Sequence, residues 1–330
     1  MDAFELTLLN DFQRDFPLCA RPYRWIAQRL GSSETRIITV LSRLQRAGKI
    51  SRVGAVFRPR VIGASTLAAM MVPEDRLAEV AAMVNTHPQV NHNYSRNHEW
   101  NLWFVATAPD GEALAAALHR IETQCRCPLI RLPLIEDYHV DLGFALGETQ
   151  AARPAPRIPC AAAAVTLTER QKALVAALEA GLAFTRNPYA ELGARAGMIE
   201  AEVLATLRDW LAAGVISRLG VIVRHHELGY TANAMTVWDV PDDIAGIMGR
   251  RLAAAECVTL CYRRTRDLPR WRYNLYCMIH GRNHERVLAQ VESLRRTCGL
   301  AGYPFAVLFS SQRFKQRGAR YAPQLEPAHG

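Results

Sequence analysis

The sequence contains the same unit twice, and this duplication constrains the fold more than any other feature. The segment Gly48–Gly54 (GKISRVG) returns 166 residues later as Gly214–Gly220 (GVISRLG). Further along, Asn91–Arg96 aligns with Thr259–Arg264 at an offset of 168 residues. Two copies are too few for a solenoid, so the repeat predicts a homodimer fused into one chain, with a pseudo-twofold interface. Positions at which the halves diverge are then the first places to look for function.

Length and composition limit the class of protein. A chain of 330 residues, half of them hydrophobic and 22% charged, is typical of a soluble protein with several domains. It has no apolar run long enough to span a membrane, and its first residues lack the pattern of a secretory signal. Its eight cysteines form no CxxC pair and no zinc pattern. We therefore expect a cytoplasmic protein with free thiols and no contact with a membrane.

The net charge of +9 is distributed unevenly. Residues 1–165 contain 18 Lys+Arg and 16 Asp+Glu, whereas residues 166–330 contain 22 and 15, so the second half carries most of the excess. Arginine outnumbers lysine by 37 to 3. Guanidinium groups bind carboxylates and phosphates through two hydrogen bonds at once, so this bias suits a protein with an anionic ligand. The base composition of the genome is the alternative explanation.

Each half begins with a helical segment. In the first half a short helix over Tyr23–Gly31 is closed by glycine, and Ser32 or Ser33 can cap the next helix, which runs to Gly48. A strand follows. Helix, glycine turn, capped helix and strand are typical of a winged helix-turn-helix. The second half repeats the pattern from Leu174 to Gly214.

The rest of each half alternates strand and helix patterns in the order βαββαβ, which is ferredoxin-like. The last strands are expected over Leu129–Ile135 and Phe305–Phe309. The predicted fold class is therefore α+β, a tandem duplication of a winged helix-turn-helix plus a ferredoxin-like domain. The expected domains are winged helix-turn-helix units over 1–62 and 166–228, ferredoxin-like units over 63–147 and 229–330, and an Ala/Pro-rich linker over 148–165.

A basic and aromatic stretch, Tyr262–Asn274, separates two strands of the second half. It contains five arginines among three aromatic residues, and it is five residues longer than its counterpart, because Asn101–Trp103 aligns with Asn274–Tyr276 at an offset of 173. Aromatic rings stack on a flat ligand and guanidinium groups pair with its carboxylates. Single-stranded nucleic acid requires the same mixture, and a solvated hairpin without a ligand is the third interpretation.

A winged helix-turn-helix joined to a βαββαβ domain resembles the Lrp/AsnC family of transcriptional regulators. Several segments resemble a more specific branch, the Lrp-like siroheme decarboxylases in the fused D–L form of the haem d1 pathway. These segments are Asn91–Tyr94 with Asn97–Trp103, Arg224–Tyr230 with Asn233–Met235, Cys261–Arg266 with Leu268–Leu275, and His280–Arg282. The resemblance covers residues 5–147 and 168–321.

This resemblance implies an intramolecular Lrp/AsnC-like pseudo-dimer that is an enzyme. The implied reaction is the removal of two acetate carboxyl groups from siroheme, giving 12,18-didecarboxysiroheme. No cofactor is implied, because the iron belongs to the substrate. The implied partners are siroheme or decarboxysiroheme as ligand and a homologous decarboxylase subunit pair, with assembly into homo-oligomers as a further option. The substrate is expected between the helical and sheet domains or where the sheets meet.

Decarboxylation on a tetrapyrrole needs a held carboxylate, an electron sink and a proton; the macrocycle supplies the sink. An imidazole can ligate iron or donate a proton near neutral pH, and a surface or core role is the alternative for each histidine. Tyr94 and Tyr262 align in the two copies, each two residues before an arginine, so each pair shares one face of a strand. The candidate catalytic residues are His98, His225, His226, Tyr94 and Tyr262, with His98 also a candidate axial ligand. The candidate substrate-binding residues are Arg58, Arg96, Arg224, Arg263, Arg264, Arg266, Trp271, Tyr273 and Lys315.

Two further expectations concern the C-terminus and DNA. Lys315, with Arg313, lies in a basic segment that either closes over the ligand or forms a solvated tail, and the tail is the favoured interpretation. A DNA-binding regulator is the alternative function. The second candidate recognition helix opens Ala196–Glu202, whose two carboxylates would repel phosphates. Binding of DNA is therefore not expected.

Overall fold

A computed structural model describes residues 1–140, 146, 165–319 and 321. The predicted linker lies outside these residues except for its last one, Val165. Within the described residues each copy contains five α-helices and five strands in the same order. Copy one comprises α1 (Ala3–Phe12), α2 (Pro22–Arg29), α3 (Glu34–Arg46), β1 (Ile50–Phe57), β2 (Ala64–Met70), α4 (Leu77–Thr86), β3 (Val90–Arg96), β4 (Leu102–Ala108), α5 (Gly111–Cys125) and β5 (Leu129–Val140). Copy two comprises α6 (Glu169–Glu179), α7 (Pro188–Ala196), α8 (Glu200–Ala212), β6 (Ile216–Val223), β7 (Ala232–Trp238), α9 (Ala245–Ala253), β8 (Val258–Arg264), β9 (Leu275–Gly281), α10 (His284–Thr297) and β10 (Phe305–Gln316).

Local signals set the ends of the DNA-recognition-type helices. The Ser33 hydroxyl oxygen accepts a hydrogen bond from the Arg36 N–H at 3.2 Å, so the predicted cap of α3 is formed. After α3 and α8 the chain turns at Gly48 and Gly214, with φ of 72° and 71°. This left-handed conformation is open to glycine without steric cost. The requirement explains why the repeated segment begins with glycine in both copies.

The two helix-turn-helix units form one layer with a single continuous apolar core. The strand that follows each unit pairs with its counterpart: β1 and β6 are antiparallel, with Gly54 opposite Gly220. Two buried tyrosines tie the copies together symmetrically. The Tyr23 hydroxyl donates to the Ala183 carbonyl oxygen and the Tyr189 hydroxyl donates to the Pro17 carbonyl oxygen, both at 2.9 Å. This layer is thus itself a pseudo-dimer.

The two ferredoxin-like sheets join into a closed eight-stranded barrel. Each sheet has the ferredoxin-like order, β3-β4-β2-β5 in copy one and β8-β9-β7-β10 in copy two. The edges pair between copies, β5 with β8 and β10 with β3, both antiparallel. The predicted α+β pseudo-dimer is confirmed. We call the β10–β3 junction the first seam and the β5–β8 junction the second seam.

Pairing between the copies makes the last strand of each copy longer than predicted. β5 continues to Val140 and β10 to Gln316, because the additional residues find their backbone partners on the other copy. The segment around Lys315 is therefore part of a strand, and its interpretation as a solvated tail was wrong. These strands are extended by contacts between distant parts of the chain, which the local hydrophobic periodicity of the sequence does not show.

Three cores hold the barrel together. Helices α4 and α5 cover the outer face of one sheet, and α9 and α10 cover the other. The third core lies inside the barrel, between the sheets, and includes Trp103, Trp271 and Tyr276. Among the described helices, none is long and apolar enough to cross a membrane.

Candidate functional site

The two seams have the same pattern of strand pairing. This pattern identifies the residues that face the barrel interior. Each contains two register shifts at equivalent positions, flanking Arg313 in the first seam and Asp137 in the second. Arg313 lies opposite Tyr94, and Asp137 lies opposite Tyr262. Because alternate strand residues share a face, the tyrosines and the arginines two positions later point into the barrel.

Arg96 and Arg264 each cross a seam to a backbone carbonyl of the other copy. The Arg96 Nη1 donates to the Leu308 oxygen at 2.8 Å, and the Arg264 Nη1 donates to the Leu132 oxygen at 2.9 Å. The Arg264 guanidinium also lies 5.2 Å from the ring centre of Tyr262, within cation–π range. Burial lowers the pKa of both groups, that of Arg96 to about 10.

Neither guanidinium has a carboxylate partner among the described residues. The ion pairs in that part of the chain involve other arginines, and the Arg96 Nε has no hydrogen-bond partner there. A buried charge without a counter-charge is costly. Two such cations at equivalent positions therefore indicate a site that a multiply anionic ligand would complete.

Tyr94 and Tyr262 lie beside these arginines in the barrel wall. Tyr94 is directly opposite Trp103 on β4, and Tyr262 is opposite Tyr276 on β9. Burial raises the pKa of both phenols. Both are therefore protonated near neutral pH and can donate a hydrogen bond or a proton.

His92 is a site residue that sequence reasoning did not select. It lies two residues before Tyr94, opposite Val105, and faces the same interior. Burial, and then the nearby Arg52 guanidinium, lower its pKa to about 4. Its imidazole is therefore neutral at physiological pH, the form that ligates iron. Strand alternation, which places His92 on the same face as Tyr94 and Arg96, is the sequence signal that could have identified it.

Arg58 contributes to the second seam through an ion pair. Its Nε and Nη2 both donate to Asp137 Oδ2, at 3.2 and 3.1 Å. In the first seam the residue equivalent to Asp137 is Arg313, which pairs with Glu227 at 2.5 Å. The position opposite the tyrosine therefore carries a positive side chain in the first seam and a negative one in the second.

His98 lies at the opposite end of the barrel from His92. Its Nδ1 accepts a hydrogen bond from the Trp100 N–H at 3.1 Å, and its ring contacts Trp271 edge-on at 5.4 Å. Trp271 in turn donates to the Tyr276 hydroxyl at 2.7 Å and contacts Tyr273 at 5.0 Å. The structure thus brings His98, Trp271 and Tyr273 together as a plug that closes this end.

The arginines of the long hairpin pair with carboxylates of their own chain. Arg266 contacts Asp239 at 2.9 Å and Asp242 at 2.8 Å, and Arg263 contacts Asp242 at 3.0 Å. The hydrogen bond from Arg266 holds the pKa of Asp242 below its usual value. The hairpin charge is largely balanced internally, unlike that of Arg96 and Arg264.

The remaining predicted residues lie near the helical layer. The Lys315 Nζ donates to the carbonyl oxygens of Asn85, at 2.6 Å, and His87, at 3.2 Å, at the end of α4. The Arg224 backbone N–H donates to the Lys49 oxygen. His225 and His226 open a 3₁₀ turn, and their side chains lie outside the described part of the structure. The predicted residues therefore divide between the two ends of the barrel.

The helices that would read DNA present acidic side chains at their first turns. Glu202 accepts from the Ile199 N–H at 2.9 Å, which satisfies a backbone donor at the start of α8, and it pairs with Arg170 at 2.7 Å. Glu34 at the start of α3 pairs with Arg21. Carboxylates at both positions disfavour an approach to phosphate.

Two domain families match this chain, and each matches twice. The AsnC-like ligand binding domain matches residues 62–139 and 227–315. The siroheme decarboxylase NirDL-like HTH domain matches residues 5–50 and 171–216. The fold and these matches define a duplicated protein of the Lrp/AsnC-like class. Its helix-turn-helix units match those of siroheme decarboxylases.

Individual relatives show which family within this class the chain belongs to. The siroheme decarboxylase NirDL subunit of Paracoccus pantotrophus is 45% identical over 97% of both chains. The siroheme decarboxylase NirD subunit of Stutzerimonas stutzeri is 46% identical over 148 residues, 45% of this chain and 97% of its own. A crystal structure of the siroheme decarboxylase NirDL in co-complex with an iron-uroporphyrin III analogue matches with a TM-score of 0.68 and 28% identity, covering 97% of this chain and 94% of that one. This chain belongs to the siroheme decarboxylase NirDL family.

Proposed function

We propose that this chain removes two acetate carboxyl groups from siroheme, giving 12,18-didecarboxysiroheme, inside the barrel formed by the two sheets. The observation that carries this proposal is the pair of buried guanidinium groups, Arg96 and Arg264, without a carboxylate partner among the described residues. A ligand with several carboxylates balances these charges. A regulator that responds to a neutral or singly charged ligand leaves most of this charge unbalanced.

The chemistry assigns different tasks to the arginines and tyrosines. In each decarboxylation the bond between the methylene carbon and the carboxylate carbon breaks, carbon dioxide leaves, and the electron pair spreads into the macrocycle. A proton added to the methylene carbon completes the methyl group. Tyr94 and Tyr262, protonated at neutral pH, are the proposed donors and regain their protons from water.

The arginines serve best as clamps for the carboxylates that remain on the product. A guanidinium paired with a departing carboxylate would stabilise the reactant more than the transition state and would slow the reaction. We therefore assign Arg96 and Arg264 to positioning. The departing acetates are expected against the apolar wall, where loss of hydration favours release of carbon dioxide.

The proposal has consequences for cofactors and partners. No cofactor is required beyond the iron that arrives in the substrate. A homologous subunit pair remains a proposed partner, as do copies of the same chain, in the cytoplasm. We also propose that the domains of this chain meet at residues 62, 147, 165 and 228.

The test is anaerobic incubation of the purified chain with siroheme, followed by mass spectrometry of the tetrapyrrole. Loss of one or two carbon dioxide masses is the expected result, and the number shows how far the chain proceeds alone. The double variant Arg96→Met, Arg264→Met should bind weakly and turn over little. The control is Arg266→Met, which removes a guanidinium already paired within the chain. Siroheme that binds the unmodified chain and remains intact with a homologous subunit present would contradict the proposal.

A further inference from the structure

We propose that the helix-turn-helix unit of copy one binds the helix-turn-helix unit of copy two in a second molecule of the same chain. In this contact a basic surface of the first unit meets an acidic surface of the second. The inference concerns the helical layer and not the barrel interior, so it does not depend on the decarboxylase proposal.

The two helix-turn-helix units share a fold but differ in charge. Residues 1–62 contain 11 Lys+Arg and 5 Asp+Glu, whereas residues 166–228 contain 7 of each. The second half of the chain carries most of the positive charge, yet its helix-turn-helix unit is neutral. The positive charge of the first unit is therefore a local property and does not follow from the composition of the whole chain.

The difference lies on the solvent-facing side of the helices. Trp25 and Arg36, both exposed, are replaced at the equivalent positions of copy two by Glu191 and Glu202. The basic surface is defined by the exposed side chains Arg24, Trp25, Arg29, Arg36 and Arg46. Their equivalents in copy two are Ala190, Glu191, Arg195, Glu202 and Ala212. The acidic surface is defined by Glu191, Ile199, Glu202 and Asp209.

The arginines of the basic surface form no ion pair within the part of the chain that the structure describes. The Arg29 guanidinium lies 5.7 Å from the ring centre of Trp25, and that of Arg36 lies 4.2 Å from the ring centre of Phe4. The Arg46 Nε donates to a backbone carbonyl of its own helix at 3.4 Å. These contacts orient the guanidinium groups without neutralising them, so their charge is available to carboxylates of a partner.

The acidic surface supplies such carboxylates. Glu191 and Asp209 are exposed and have no cationic partner among the described residues. Glu202 pairs with Arg170, but these side chains are 40% and 56% exposed, and solvent-exposed ion pairs are weak. Ile199 is 67% exposed and adds an apolar side chain. Carboxylates beside an apolar residue complement guanidinium groups beside a tryptophan.

A protein fits the basic surface better than nucleic acid does. Trp25 is 43% exposed, and tryptophan is enriched where proteins bind each other. Glu34, in the first turn of α3, would face the phosphates of a duplex. Each molecule carries one basic and one acidic surface, so the contact joins unlike surfaces, and molecules link in series or close into a ring.

The test is sedimentation velocity of the full chain at concentrations from about 1 to about 100 µM, where weak interfaces associate. We expect species larger than one chain at about 0.05 M salt and single chains at about 0.5 M salt, because salt screens exposed charges. The double variant Arg24→Glu, Arg36→Glu should raise the Kd of association by about tenfold or more. Glu191→Arg with Asp209→Arg should have the same effect.

Mixing these two double variants tests which surfaces meet. Each double variant has lost one surface and kept the other. The intact acidic surface of the first can bind the intact basic surface of the second, so we expect the mixture to form dimers that neither variant forms alone. A mixture that stays monomeric would overturn the inference.

The matched control reverses two exposed arginines on α10, Arg286→Glu with Arg296→Glu, and it should leave association unchanged. An unmodified chain that is monomeric throughout, or equal losses from the control and from the basic-surface variant, would overturn the inference. So would a basic-surface variant that sediments like the unmodified chain and loses only affinity for a DNA duplex. Circular dichroism confirms folding of each variant, and siroheme turnover reports separately on the proposed function.

Discussion

Arg96 and Arg264 are pseudo-twofold equivalents, and each donates through Nη1 to a backbone carbonyl of the opposite copy, at 2.8 and 2.9 Å. The same two side chains therefore hold the barrel seams together and place positive charge inside the barrel. A hydrogen bond to a carbonyl satisfies a donor but does not neutralise a charge. The seam hydrogen bonds therefore leave the positive charge of both side chains available to a ligand.

The first prediction compares how Arg264 affects the stability of the ligand-free protein and how it affects the affinity for siroheme. Arg264→Met removes a buried charge without a carboxylate partner among the described residues, so the ligand-free protein should be as stable as the original or more stable by about 1 kcal/mol. Its affinity for siroheme should fall. Arg266→Met removes the partner that Asp239 and Asp242 share, although Arg272 and Arg263 still pair with them, and it should cost about 1 kcal/mol. Urea unfolding of both variants checks this, and an equal loss of stability in both would contradict it.

The second prediction assigns the histidine nearest the iron. His92 and His98 lie at opposite ends of the barrel, and the His98 Nδ1 already accepts a hydrogen bond from the Trp100 N–H. We expect His92→Leu to change the visible spectrum of bound siroheme and His98→Ala to leave it unchanged. Absorption spectra at saturating siroheme decide the question. The reverse outcome would transfer the ligand role to His98.

The third prediction is a loss of stability in mild acid. The His92 pKa is about 4 in the folded protein, against an ordinary value of 6.5. The unfolded chain therefore binds the extra proton between these values, so stability falls as pH drops from about 6.5 to 4, by up to about 3 kcal/mol from this group. Burial lowers the pKa of His87 and His98 in the same direction. His92→Leu should flatten the dependence of the melting temperature on pH, and an unchanged slope would contradict the burial of His92.

The fourth prediction compares two equivalent glycines. A Cβ on Gly220 would collide with the backbone of Gln13, where α1 approaches β6. A Cβ on Gly54 would lie 3.5 Å from Gly181 Cα, an ordinary contact, and 3.1 Å from the movable Arg52 side chain. Gly220→Ala should therefore destabilise by more than about 2 kcal/mol and Gly54→Ala by clearly less. Thermal unfolding checks the order, and equal losses would show that the helical layer is more symmetric than described.

The duplication and local periodicity were enough to predict the architecture but not the seams. The glycine turns, the Ser33 cap and the βαββαβ order are local, and all could be read from the sequence. The pairing of β10 with β3 depends on contacts across more than 200 residues, so the basic segment around Lys315 looked like a tail. Register shifts beside Arg313 and Asp137 are equally invisible in a pattern of period two.

The candidate site was predicted in part. Arg96, Arg264, Tyr94 and Tyr262 could be grouped because two aligned copies present the same pair at the same spacing. His92 was passed over, although it shares their face of the strand. The hairpin arginines looked available because the carboxylates that pair with them, such as Asp239, lie on a different element, and a charge pattern along one segment does not show such pairing.

The two halves of the chain are held together by the shared core of the helical layer and by the two seams, in addition to the linker. The contacts described between the copies involve residues outside 147–164. A chain cleaved within that segment should remain a tightly associated heterodimer, with the join serving to raise effective concentration. One polypeptide and two separate ones are then alternative ways to encode the same assembly, and the fused form supplies the two halves in equal amounts.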